Sequence, residues 1–416
     1  TDANSLCPPF FNAALKELNG WFPRTGDIIK LTKQNSSPNY THFVLLGDPA
    51  VTLAYPKLKI FTSEINSTPI SPSGNDTLKA LSKITIKGFV GTKDSTKLNN
   101  FNGVVFPTVF DKPSNLATLA NDEGDTIPFK LQKNVLYKGK CSVTNGDFEF
   151  TFVVPKDINY QFGAGKISYY GHNGSIDANG YYDKIIVGGS DPNAPIDNDG
   201  PQLSLYMNDA NFVYGGTTNE NPKIFLKLFD SSGINTVGNG IGHDITAIMD
   251  NDQTNPMVLN DFYEANTNSY QSGKIFYPLS NVPEGTHNLS VKVWDVQNNS
   301  SNANTEFVVA PSADLALRQV LNYPNPFTTK TKFFVEHNQC CVALDLQIQI
   351  FTVSGKLIKT IQSEVQNQGY RIEGIDWDGK DDFGDKIGAG VYVYRIKLHS
   401  SDGKTSEKIE KLVILN

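Results

Sequence analysis

The sequence has no run of about 18 apolar residues anywhere in its 416 positions, so no segment reads as a helix that spans a bilayer. It has no excess of basic charge either: 36 Lys and Arg stand against 43 Asp and Glu, a formal net charge of -7. A nucleic-acid binder shows a basic stripe, so no nucleic-acid partner is expected. Cysteine is scarce. Cys7, Cys141, Cys340 and Cys341 are too few for a disulfide framework in a chain of this length. Cys340 and Cys341 are adjacent, and neighbours on a strand point to opposite faces, so they are poorly placed to pair with each other. Packed free thiols are expected. No secretory leader is expected at Thr1-Asp2-Ala3-Asn4, which is polar and has no basic start. The absent initiator Met suggests a fragment, a processed chain or a trimmed region.

What is abundant points to β structure. Rings are plentiful, with 17 Tyr and 25 Phe, alongside many Asn, Thr, Ser and Gly, which is the composition of β-sandwiches with long polar loops. The length predicts two to four domains of ~100–200 residues each.

The stretch from Asn322 to Asn416 is the clearest. It opens on Tyr323-Pro324-Asn325-Pro326-Phe327 and alternates through Leu344-Asp345-Leu346-Gln347-Ile348-Gln349-Ile350-Phe351. It turns at Val353-Ser354-Gly355-Lys356, alternates again over 357–361, and resumes at Gly388-Ala389-Gly390-Val391-Tyr392-Val393-Tyr394-Arg395 before ending on Lys411-Leu412-Val413-Ile414-Leu415. Period-two alternation broken by Gly and Asp turns predicts half-buried antiparallel strands in a small β-sandwich, residues 311–416. Trp377, flanked by turn formers, is expected to plug it. Asp376, Asp378, Asp381, Asp382 and Asp385 crowd one loop. Asp376, Asp378 and Asp382 are weak Ca2+ candidates, because the loop starts like an EF-hand but lacks the closing Glu, and an acidic hairpin loop is the simpler reading.

Residues 1–56 differ. Apolar residues at 10/11, 14/15 and 18 predict a helix. Thr25 to Lys33 predicts a second, with Asp27 in its first turn and Lys33 near its end, both favourable to the helix dipole. Phe43-Val44-Leu45-Leu46 is expected to be a buried strand. Two helices and a strand cannot bury a core of their own, so this segment is expected to dock onto something that precedes it. Residues 57–190 read as a β-sandwich domain, with alternation at Ile84-Thr85-Ile86 and Phe148-Glu149-Phe150-Thr151-Phe152 and a turn at Thr144-Asn145-Gly146-Asp147. A Pro, Gly and Asp-rich linker follows. Its Asp191, Asp197 and Asp199 could offer oxygens to Ca2+, although Asx-turns explain them more simply. Residues 191–310 read as an immunoglobulin-like sandwich with Trp294 in its core. His243 beside Asp244 invites a catalytic dyad, but adjacent residues on a strand face apart.

Several motifs carry a family resemblance. The Tyr-Pro-Asn-Pro-Phe opening, the Ser354-Gly355-Lys356-Leu357 turn, Trp377-Asp378-Gly379 and Gly390-Val391-Tyr392-Val393-Tyr394-Arg395 resemble the FlgD-like immunoglobulin module and the sorting domains of type IX secretion cargo. Thr25-Gly26-Asp27-Ile28, Phe43 to Ala50 and Leu53-Ala54-Tyr55-Pro56 resemble the end of a gingipain-type (C25) cysteine peptidase domain, which is caspase-like. Pro155-Lys156-Asp157-Ile158, Asp230-Ser231-Ser232-Gly233 and Val293-Trp294-Asp295 resemble the domains that follow the peptidase unit in PorU-type sortases of type IX secretion.

The fold class expected from all this is mainly β: tandem immunoglobulin-like β-sandwich domains preceded by the terminal α/β piece of a caspase-like peptidase domain. The resemblance implies the C-terminal part of a surface sortase that cleaves cargo sorting domains and joins cargo to a glycolipid by cysteine acyl transfer. It places the catalytic His and Cys before this terminal strand. Cys7 and His42 are not expected to replace them, and no catalytic residue or cofactor is assigned here. The implied partners are a PorV-like outer-membrane β-barrel shuttle, an upstream peptidase domain and secreted cargo, at the surface of a Bacteroidetes-type bacterium. The implied role of this portion is scaffold and docking, through Gly388, Gly390, Leu412, Val413, Ile414 and Leu415, on the expectation that the last strand is an unpaired sheet edge. The alternative is a secreted adhesin or gingipain-like cargo protein with a cleavable sorting domain.

Overall fold

The computed structural model describes residues 2–17, 22–35, 44–71, 76–121, 124–236, 242–310, 315–339, 343–366, 369–401 and 403–415. Strands take 53% of the chain and helix 6%, so the protein is mainly β. His42, Phe43, Cys340 and Cys341 lie outside the described residues.

Two helices come first. The opening helix runs Asp2–Ala14, so it starts earlier and stops sooner than the apolar spacing predicts. The second, Thr25–Gln34, carries Asp27 in its first turn and Lys33 in its last, as the sequence pattern requires. Its start is tied to the 48–52 loop. Thr25 N–H donates to Val51 O and Gly26 N–H to Pro49 O. A Cβ on Gly26 would lie 2.8 Å from the Pro49 Cβ, so only glycine lets loop and helix meet. The described part of the buried strand expected at 43–46 does not form one. Residues 44–46 are irregular, with Val44 72% and Leu46 92% exposed. A strand needs a neighbour to satisfy its backbone, and none of the described strands lies beside it.

The first β body is a closed sheet rather than two facing ones. Its ring runs Leu58–Ile65, Lys83–Gly91, Asp147–Val153, Cys141–Thr144, Gly103–Phe110, Gly163–His172 and Asp177–Ser190, then returns to the first strand. Closure is made by parallel pairing of Leu58 with Ala178 and Lys59 with Asn179. The 14-residue strand Asp177–Ser190 makes this possible, because it is long enough to serve Leu58–Ile65 near its start and Asp76–Ala80 near its end. Phe148, Phe150 and Phe152 alternate inward with Ile84 and Ile86 from the paired strand. The two-residue turn Asn145-Gly146 has positive φ at both positions, the geometry that joins tightly twisted strands.

The second body is a two-sheet sandwich. Gln202–Met207, Lys223–Phe229, Ser272–Pro278 and Tyr263–Ala265 form one sheet. Gly216–Thr218, Ser300–Val309, Gly285–Trp294, Thr246–Met249 and Met257–Val258 form the other. Met207, Leu226 and Ile275 meet Val291, Val293 and Phe307 between them. Trp294 is not in this core. Val293 occupies the inward position, so period two turns Trp294 outward, where Lys292 and His243 cover its ring.

The third body packs Leu317–Tyr323, Thr331–His337 and Arg371–Trp377 against Leu357–Gln366, Ala343–Thr352, Gly390–Ser400 and Thr405–Ile414. Leu346, Ile348 and Ile350 alternate into its core with Tyr394, Ile396 and Leu398. Trp377 is buried there, with its indole N–H donating to Lys380 O at 3.0 Å.

Candidate functional site

The last strand, Thr405–Ile414, pairs on one side with Gly390–Ser400. Its other side is not open near the end. Phe327 N–H donates to Val413 O at 3.1 Å and Leu415 N–H to Phe327 O at 2.8 Å. Asn325 completes the cover, with its Oδ1 accepting from Val413 N–H and its Nδ2 donating to Lys411 O. The Tyr-Pro-Asn-Pro-Phe segment therefore occupies the edge that was expected to be free. Phe327 is itself buried, edge-on to Trp377 at 5.6 Å between ring centroids.

The six expected docking residues divide by side. Leu412 and Ile414 point into the core, while Leu415 and Gly388 are exposed and Val413 and Gly390 are half-buried. Val413 belongs to an apolar patch on the outer face of this sheet. Val391 lies opposite Val413, and Phe351 lies opposite both Val393 and Leu357. Val353 is 74% and Val391 50% exposed, and Ile409 and Leu357 are exposed beside them. Arg395 spans the middle, with its guanidinium 5.9 Å from the Phe351 ring centroid. Away from the turn end the same face becomes polar, through Gln347, Lys397, His399 and Glu407. The sequence carried the signal for this patch, an apolar residue at outward positions of neighbouring strands, but reading it required the register.

The acidic loop does not gather its carboxylates. Asp376 pairs with Lys332 at 3.5 Å and Asp382 with Lys359 at 3.3 Å, and Asp378 Oδ1 accepts from Lys380 N–H. Asp381 Oδ1 accepts from the N–H groups of Phe383 and Asp385, which shapes the turn. The described carboxylates that do converge are Asp197, Asp230 and Asp295, with oxygens within 4.8 Å of one another. Sequence reading missed this trio because it draws on the linker and two strand ends. Burial pushes the Asp230 and Asp295 carboxyls above the usual range. Each also braces a turn: Asp230 accepts from Ser232 and Gly233 N–H, and Asp295 from Gln297 and Asn299 N–H. The linker carboxylates Asp191 and Asp199 are not among the three; Asp191 Oδ1 accepts from Asn193 N–H in an Asx-turn.

His243 is not paired with Asp244. Its Nδ1 lies 2.6 Å from Asp157 Oδ2, on the first body. Of the two cysteines described, Cys7 is exposed on the first helix. Cys141 is sealed in the first body, where burial pushes its thiol up to about 12, far from the thiolate a nucleophile requires.

These features define a tandem β protein with a surface patch on its last sheet. No family model matches the chain, and no curated protein matches it. Among solved structures, it is 31% identical to dimeric latent PorU from Porphyromonas gingivalis, with a TM-score of 0.42, over 97% of this chain and 39% of that one. The chain spans about two-fifths of that protein's length. A tetra-tandem repeat from the extending region of a large adhesion protein aligns at 10% identity and a TM-score of 0.19, over 82% of this chain and 74% of that one. A Bacteroides ovatus glucan-locus protein, SGBP-B, solved with a mixed-linkage heptasaccharide, aligns at 10% and 0.26, over 85% and 70%. Neither of these two distant likenesses bears on function.

Proposed function

We propose that this chain is the non-catalytic, C-terminal portion of a type IX secretion sortase at the cell surface, and that its last body docks the enzyme to an outer-membrane barrel partner. In that reading the catalytic His and Cys stand in an upstream C25-type domain, and the last body is a retained, FlgD-like sorting module. The sequence likeness to PorU across nearly the whole chain supports the reading. Val44, Leu46, Val51 and Leu53 are exposed apolar side chains that an upstream peptidase domain would cover.

The observation that carries the docking role is the apolar outer patch of Val353, Val391, Val393 and Val413. Contact is made through this sheet face. Strand addition at 411–415 is not the mode, since Asn325 and Phe327 already satisfy that edge. Gly388, Gly390 and Leu415 border the patch, and Leu412 and Ile414 hold it in place from below. A charge placed in the patch tests the reading without cutting into the core. Val391→Glu with Val413→Glu should move the protein from the outer-membrane fraction to the medium while its circular dichroism is unchanged. Full membrane retention of that folded variant would defeat the docking role.

A further inference from the structure

We infer that the first body and the sandwich are held as one rigid unit by a two-point joint pinned on Asp157. Asp157 lies just beyond the strand Asp147–Val153, and its side chain is 18% exposed. Three side chains of the sandwich converge on it. His243 Nδ1 lies 2.6 Å from Oδ2, Asn235 Nδ2 donates to Oδ2 at 3.3 Å, and Asn298 Nδ2 donates to Oδ1 at 2.7 Å. The neighbouring Lys156 N–H donates to Val296 O at 2.8 Å. A carboxylate is an acceptor only, so one shielded charge is answered by three donors, and charge-assisted bonds of this kind are the stronger class.

The turn that delivers these groups is built in advance. Asp295 Oδ1 accepts from Gln297 and Asn299 N–H, which fixes residues 295–299. From the same turn Gln297 grips the linker, donating to Pro195 O and accepting from Asp197 N–H. His243 is backed by the Trp294 ring at 4.4 Å between centroids.

A second attachment uses other elements of both bodies. Asn268 has a φ of 60° and sits in the turn between Tyr263–Ala265 and Ser272–Pro278. Its N–H donates to Lys140 O at 2.8 Å, its Oδ1 accepts from Ser142 N–H at 2.8 Å, and its Nδ2 donates to Ser142 Oγ at 2.6 Å. Tyr270, two residues on, packs against the core of the first body. Rotation about either attachment would break the other, so the pair acts as a joint rather than a hinge.

Three backbone amides report the joint directly: Lys156, bonded to Val296, and Ser142 and Asn268, bonded across the second attachment. Hydrogen exchange on the full chain should find all three slow. In Asp157→Ala they should accelerate together by tenfold or more, including Ser142 and Asn268, which do not touch Asp157. Core amides such as Phe150 and Val291 should keep their rates. Acceleration of Lys156 alone would overturn the joint, because the two attachments would then open independently, and so would no change at any of the three. If Asp157→Ala fails to fold, Asn298→Ala approaches the same pin from the sandwich side, with the same two readouts.

Discussion

His337 shows how one buried group sets a pH dependence. It is fully buried in the third body, and burial lowers its pKa to about 4, with Nδ1 accepting weakly from Gln339 N–H. The folded state therefore holds the ring neutral while the unfolded chain protonates near 6.5. For a depressed pKa the contribution is fully present above the unfolded value and is lost as pH falls through the folded one. Stability of the third body should decline between pH 6.5 and about 4, by about 3 kcal/mol from this residue. Thermal midpoints across that range check it, and His337→Gln should flatten the slope. An unchanged slope in the variant would assign the decline to other groups.

At the scale of elements, the Tyr-Pro-Asn-Pro-Phe segment acts as a clasp on the last strand. Phe327 fills a buried site beside Trp377 and gives both of its backbone groups to residues 413 and 415. Phe327→Ala should cost ~3–5 kcal/mol, the usual range for emptying a buried aromatic site. It should also speed exchange of the Leu415 amide, which NMR can follow. Stability within 1 kcal/mol of the parent would mean that the clasp is superficial.

Elements were legible in the sequence wherever periodicity acts locally. The strands at 344–351 and 390–396, the Asn145-Gly146 turn and the dipole-matched second helix follow from neighbouring residues alone. What could not be read depends on pairing across long separations. Closure of the first body rests on strands 120 residues apart, whose Lys59 and Asn179 side chains also bond. The partner of His243 is 86 residues away, so only the adjacent Asp244 was visible as a candidate. Trp294 is the more hydrophobic side chain, but alternation with the buried Val293 turns it outward, since one step of register reverses a strand's faces. The run at 43–46 is apolar enough for a strand, but composition cannot supply the neighbour a strand requires.

In the molecule as a whole, two β bodies joined through Asp157 and Asn268 precede a third that bears an exposed apolar face. A contiguous apolar patch across neighbouring strands calls for a partner. The most direct test is the affinity of the purified chain for the proposed partner, a detergent-solubilised outer-membrane barrel, read by titration at fixed ionic strength. The account predicts saturable binding that weakens at least tenfold in Val391→Glu/Val413→Glu and is unaffected by Asp376→Asn/Asp378→Asn on the neighbouring acidic loop. Equal affinity of the folded patch variant and the parent, or no binding by the parent, would contradict it.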